Sequence, residues 1–182
     1  TALMTAARTG SAATVDLLLA SGADVDAAET WRGQTALMWA AAERHVEATR
    51  ALLRYGADVL AHSDKGFTPL LFGVRAGDVG VVRELLTAGA NIDGPDDEGN
   101  TPIVLAIYNG HYALAAFLLE RGANPDIGTP GGTALHHAVR WRTYEFAEFF
   151  RPPPPQTGDL DLLGLIERLL AHGADPNAPI TK

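Results

Sequence analysis

The sequence predicts an all-α fold, a stack of two-helix units that follow one another along the chain. The first observation behind this prediction is a Thr-x-hydrophobic motif at spacings of 34, 33, 33 and 32 residues, which begins at Thr1, Thr35, Thr68, Thr101 and Thr133. The second is a Gly-Ala-Asp or Gly-Ala-Asn triplet that starts 21 residues after each of the first four threonines. The third is a pair of leucines shortly before each triplet. Self-similarity at such a period is the signature of repeat proteins, whose units bury their apolar faces against their neighbours.

Each repeat is predicted to open with a helix that begins at the threonine. Threonine can accept a hydrogen bond from an early helical N–H group and is a common N-cap. Pro69 and Pro102 follow two of these threonines, at the helical position where proline removes no needed donor. Pairs of small residues such as Ala6-Ala7 and Ala40-Ala41 would let neighbouring helices approach closely. Glycines then mark a turn, at Gly10, Gly77 and Gly110.

The second helix of each repeat is predicted to carry the leucine pair and to end at the triplet. The pairs are Leu18-Leu19, Leu52-Leu53, Leu85-Leu86, Leu118-Leu119 and Leu169-Leu170. The glycine of the triplet can take the left-handed conformation that ends a helix. The Asp- and Gly-rich segment that follows predicts a tight β-turn finger.

The fifth repeat departs from this spacing. Its triplet begins at Gly173, 40 residues after Thr133, which indicates a 19-residue insertion placed at about 142–157. Four aromatic residues lie within seven positions there, from Tyr144 to Phe150, and four prolines follow from Pro152 to Pro155. Two interpretations stay open. The aromatic residues fold back and cover the last repeat, or they protrude as a ligand or docking surface for another domain.

The motif of Thr-Pro-Leu-His-x-Ala type at a period near 33 resembles the ankyrin-repeat family, over essentially the whole chain. The family histidine occurs only as His136, because Met4, Met38, Leu71 and Val104 stand at its other positions. The resemblance implies one domain over 1–182, a curved solenoid with repeats at 1–34, 35–67, 68–100, 101–132 and 133–182. It also implies fingers that project from one edge and first helices that line a concave side.

The resemblance further implies that a partner protein would contact the finger tips and the exposed edge of the first helices. Carried onto this sequence, the predicted partner-binding residues are Trp31, Arg32, Trp39, Lys65, Phe67, Phe72, Arg75, Glu98, Tyr108, Asn109, His137, Arg140 and Trp141. Tryptophan, tyrosine and arginine dominate interface energetics. Trp39 and Phe72 have a second interpretation, as core residues, because leucine packs at the same position in other repeats.

A run of acidic residues, Asp93, Asp96, Asp97 and Glu98, invites two interpretations. It could attract a cation or a basic partner, or it is a solvated finger. We favour the solvated finger, since charge runs are usually exposed faces.

Enzymatic and cofactor sites are not predicted. The glycine-rich segment from Gly128 to Gly132 lacks the lysine of a phosphate loop, and adjacent His136 and His137 would point different ways on a helix. We therefore expect no catalysis, no cofactor and no metal. The net charge of −8 argues against nucleic-acid binding, and no apolar run approaches the roughly 20 residues that span a membrane.

The predicted function is a non-catalytic protein-binding module, a scaffold-like repeat protein that uses its concave face and finger tips. The alternative is a structural or regulatory segment that packs against another domain of a larger chain. We expect a monomer that is part of a longer array or multidomain chain. The absence of cysteine and of a signal pattern favours a cytoplasmic location without establishing a compartment.

Overall fold

The structure, a computed structural model, describes residues 1–142 and 158–180, and for residues 141 and 142 it describes the backbone only. The described residues form ten helices: α1 (Ala2–Arg8), α2 (Ala12–Ala20), α3 (Ala36–Ala42), α4 (Val46–Arg54), α5 (Pro69–Ala76), α6 (Val79–Thr87), α7 (Pro102–Tyr108), α8 (Tyr112–Glu120), α9 (Ala134–Arg142) and α10 (Leu162–Ala171). The β-structure found in these ranges is one isolated bridge between Thr129 and Gly132. The predicted all-α fold is therefore confirmed. The predicted insertion at 142–157 lies outside the described residues, except for the backbone of Arg142.

The chain divides into two compact units, residues 1–91 and 92–182. In the first unit, α1, α3 and α5 lie side by side in one layer, and α2, α4 and α6 form a second layer behind them. In the second unit, α7 packs against α8 and α9, and α10 packs against α8 and α9. Each unit thus repeats a first-helix layer and a second-helix layer, and the repeat boundaries stay predictions.

The repeated threonines begin the first helices as expected in the first unit. The side chains of Thr1, Thr35 and Thr68 accept hydrogen bonds from backbone N–H groups three residues later, at 3.2, 3.5 and 3.3 Å. Thr101 differs, because its buried hydroxyl has no hydrogen-bond partner among the described residues. Just before α9, the hydroxyl of Thr133 lies 2.9 Å from Nδ1 of His136. This histidine therefore forms its hydrogen bond at the start of its own helix.

The glycine of each triplet ends a second helix in the left-handed conformation, with φ between +82° and +97° in all five. After α2, the N–H groups of Gly22 and Ala23 donate to the carbonyls of Leu19 and Leu18, both at 3.0 Å. This crossed pair of bonds satisfies carbonyls that the helix end would leave unpaired. The predicted helix ending is confirmed.

The turn between the two helices of a repeat also needs a positive φ. Gly10 has a φ of +77°, and Arg44 has a φ of +64° at the same place in the second repeat. A side chain on Gly10 would meet the ring of His45, with Nδ1 only 2.5 Å from an added Cβ. That ring is held there by a 3.0 Å contact between its Nε2 and the carbonyl of Arg8.

At least one leucine of each pair and many of the small residues belong to the core of each unit, together with apolar residues of the first helices such as Leu37 and Ile103. The first leucine of the pair is completely buried at Leu52, Leu85, Leu118 and Leu169. Burial of one such side chain contributes about 1.5–3 kcal/mol. Completely buried alanines, among them Ala7, Ala40 and Ala106, allow adjacent first helices to lie close together.

Candidate interaction surface

Each finger turn that precedes a first helix opens with a side chain that holds the turn closed. In the first finger turn, 29–34, the carboxylate of Glu29 accepts the N–H groups of Trp31, Arg32 and Gln34 at 2.6, 2.9 and 3.2 Å. Burial raises the pKa of Glu29, but these hydrogen bonds and the charge of Arg32 outweigh it and leave the pKa lowered. The turn that carries Trp31 is therefore ordered by its own first residue.

The acidic run is only in part the solvated finger that the sequence favours. Asp96 is buried, and its carboxylate accepts the N–H groups of Glu98 and Asn100 at 3.0 and 2.9 Å and the Asn100 side-chain amide. Asp93 accepts the N–H of Asn124 at 3.0 Å. That prediction was therefore wrong for Asp96. Its carboxylate is buried because hydrogen bonds from N–H groups of the turn replace those from water. Asp97 and Glu98 are exposed as expected.

Hydrogen bonds donated by backbone N–H groups join successive fingers inside the first unit. The N–H of Asp58 donates to the carboxylate of Asp26 at 2.8 Å. Nearer the tips, the N–H of Asp64 donates to the carbonyl of Arg32 at 2.9 Å. The two finger tips of this unit are thus tied to each other.

Trp31 is the most exposed aromatic residue among those whose side chains the structure describes, at 74%. The guanidinium carbon of Arg32 lies 4.0 Å from the centroid of its ring. This distance is typical of a cation–π contact, in which the planar cation covers a ring face. The sequence prediction that Trp31 lies on a solvated turn agrees with this position.

Two more arginines of the first unit lie over aromatic rings. Arg8 lies 5.6 Å from the ring of Trp39, which is half-buried. Arg75 lies 5.2 Å from the ring of Phe67 and 5.0 Å from that of Phe72, and these two rings meet edge to face at 5.5 Å. Burial lowers the pKa of Arg75, and the nearby charge of Arg32 lowers it further.

Phe72 is 5% exposed, so it is a core residue and not a partner contact. The sequence could not separate these two roles, because an aromatic side chain at this helical position can face either way. Its ring contacts the guanidinium group of Arg75 and the ring of Phe67.

His137 is also buried, at 1% exposure, and its prediction as a partner contact was wrong. Its Nδ1 lies 2.9 Å from the hydroxyl of Tyr108, and its Nε2 lies 2.8 Å from the hydroxyl of Thr129. Thr129 donates its one hydroxyl hydrogen to the carbonyl of Gly132 at 2.6 Å, so its oxygen accepts from Nε2–H of His137. Nδ1 is then the acceptor for Tyr108. Burial, followed by the charge of Arg140, lowers the pKa of His137 to about 4.

The remaining predicted residues of the second unit differ in exposure. Tyr108 is half-buried against His137. Asn109 is half-buried and donates its side-chain amide to the carbonyl of Leu105 at 2.8 Å. Arg140 is exposed and donates to the carbonyl of Gly131 at 2.9 Å.

Of the finger-tip residues, Lys65 and Glu98 are exposed. The side chain of Trp141 lies outside the described residues.

Within residues 1–142 and 158–180, His, Asp and Glu do not form a group of three or more that could hold a metal ion. None of the helices described is both long and apolar enough to pass through a bilayer.

A family model described as ankyrin repeats (3 copies) matches residues 1–63 and 70–154. The chain belongs to the ankyrin-repeat family. Ankyrin repeats are generally protein–protein interaction modules, and the family is typically non-catalytic. In these ankyrin repeats, side chains at the start of the finger turns hold the turns in shape.

Sequence reasoning missed the residues that order the fingers. Their common feature is a hydrogen-bonding side chain four to six residues before the threonine, present as Glu29, Ser63, Asp96 and Thr129. That recurrence is visible in the sequence once the finger is recognised as a turn whose backbone groups need hydrogen-bond partners.

Proposed function

We propose that this chain binds a partner protein through its finger turns and the exposed edge of its first helices. The observation that carries the proposal is Trp31, 74% exposed on a turn whose backbone is held by Glu29. A large apolar ring on an ordered turn loses little conformational freedom on binding, which favours affinity. Tryptophan and arginine together, as in Trp31 and Arg32, are the residue types most enriched among interface hot spots.

The proposal is tested by affinity capture with the whole chain as bait. Trp31→Ala and Trp141→Ala are each compared with the unchanged chain, and Leu17→Ala serves as the matched control. Leu17 is 68% exposed on the second-helix layer, so its variant also removes a large exposed apolar side chain. Circular dichroism verifies that each variant keeps its helical content.

We expect Leu17→Ala to recover the same specific partner as the unchanged chain and Trp31→Ala to recover at least about tenfold less, the scale of a hot spot near 1.4 kcal/mol. Equal recovery by all variants would contradict the proposed surface. Loss with Leu17→Ala alone would move the binding surface to the second helices.

A further inference from the structure

We infer that the first unit binds an acidic segment of its partner protein, through a cationic surface built on aromatic rings. This inference rests on the proposed function and specifies the chemistry of the partner. The arginine–aromatic surface consists of Arg8, Trp31, Arg32, Trp39, Phe67 and Arg75.

Five arginines of the first unit fall into two environments. On the second helices, Arg54 pairs with Asp16 at 2.9 Å, and Arg50 pairs with Glu47 and Glu84 at 2.7 and 2.8 Å. On the arginine–aromatic surface, the guanidinium groups lie over rings. A ring face attracts a cation but does not neutralise it. This surface therefore carries positive charge in a chain whose net charge is −8.

Carboxylates also lie close to this surface, at Glu29 beside Arg32 and at the exposed Asp64, but its three arginines and the neighbouring Lys65 outnumber them. Glu29 has three backbone N–H donors, and its carboxylate thereby orders the turn. Arg32 and Arg75 are near enough for the charge of Arg32 to lower the pKa of Arg75. A bound carboxylate would remove that repulsion.

The geometry suits a carboxylate. At 4.0 Å from the ring centroid, Arg32 covers Trp31, and a planar guanidinium presents its donors as a fork that matches a carboxylate. Lys65 holds the same place in the second finger, three residues before the threonine, as Arg32 in the first. In the third finger Glu98 takes that place, so the cationic character belongs to the fingers of the first unit.

The exposed ring of Trp31 adds an apolar anchor beside these charges. The segment recognised would thus combine aspartate or glutamate with at least one apolar side chain. A polyanion with a phosphate backbone offers charge without apolar side chains of this kind, so it would not use the anchor that Trp31 provides.

In the test, a phage-displayed library of random peptides is panned against the full chain. The peptides are about twelve residues long, a typical length for recognition segments. We expect the recovered peptides to be enriched in Asp and Glu. The strongest is synthesised and measured by fluorescence anisotropy. We expect Arg32→Glu with Arg75→Glu to weaken it at least about tenfold and to favour a Lys-rich copy instead.

Two controls separate local recognition from general repulsion. Arg54→Glu with Arg83→Glu makes the same change in net charge on the second helices, and we expect less than about a threefold effect there. Because Arg75 packs on two rings, Arg32→Glu is also measured alone at its exposed site, where we still expect a clear loss.

The inference is overturned if no peptide is recovered, if the recovered peptides lack acidic excess, or if both double variants weaken binding equally. It is also overturned if single-stranded DNA of similar length binds more tightly than the acidic peptide. A partner that depends on Trp31 but tolerates the charge reversals would overturn this inference and leave the proposed function standing.

Discussion

Acidification should weaken the second unit through His137, because the folded state holds this imidazole neutral. Its pKa of about 4 lies below the ordinary 6.5. The unfolded chain therefore binds a proton at a higher pH than the folded chain does. Stability from this group is fully present above pH 6.5, declines as the pH falls below that value, and is lost below the folded pKa.

The size of the effect follows from the two pKa values. Each pH unit between them contributes about 1.4 kcal/mol, so a fall from pH 7 to pH 5 lowers the free energy of unfolding by about 2 kcal/mol. The imidazole is 1% exposed, which leaves little solvent screening to reduce this figure. The pH change ends at pH 5, which is above the range in which most carboxylates titrate.

The assay is urea unfolding of the unchanged chain and of His137→Gln at both pH values, followed by circular dichroism. Glutamine keeps a donor and an acceptor for Thr129 and Tyr108 but does not titrate, so the difference between the two pH effects isolates the histidine. An NMR titration of the ring protons of His137 gives the folded pKa independently. Equal losses in both proteins, or an NMR pKa at or above 6, would show that His137 is not held neutral by the fold.

Three further predictions concern backbone conformation and the first finger. Arg44→Gly should raise the free energy of unfolding by about 0.5–1 kcal/mol, because it removes the left-handed strain of a φ of +64°; a lower urea midpoint would contradict this. Gly10→Ala should lose at least about 1 kcal/mol more than Gly22→Ala, because an added Cβ meets an imidazole at 2.5 Å in the first case and nothing within 4 Å in the second. Equal midpoints for the two glycine variants would show that the ring moves aside. Glu29→Ala should speed hydrogen exchange at the three amides that its carboxylate accepts, and unchanged exchange would show that the turn closes without it.

Much of the fold could be predicted from local rules. Thr35 and Thr68 begin helices because a threonine hydroxyl satisfies an early N–H group wherever the backbone allows it. Gly22 ends a helix because a residue without Cβ enters the left-handed region at little cost. Such effects act within a few residues, so the sequence is enough to find them.

The candidate site was less predictable, because its residues depend on neighbours from other repeats. Phe72 and Trp39 occupy equivalent helical positions, but one is buried and the other is half-buried beside Arg8. His137 looked like a surface residue until the structure placed Tyr108 and Thr129 against its two nitrogens. The repeat number and the position within the repeat predict where a side chain lies along the stack. They do not predict which residues surround it or how deeply it is buried.

An array of helix pairs, with second helices that end at glycine and turns between repeats, can be read from the sequence alone, because periodicity and local backbone preferences specify these features. The exposure of each side chain in the fingers and first helices could not be read in this way. Nor could the choice of ring or carboxylate as the neighbour of each arginine. Many of those outcomes depend on contacts between residues about 30 or more positions apart, such as Arg8 with Trp39 and Asp26 with Asp58. Only folding brings such residues together.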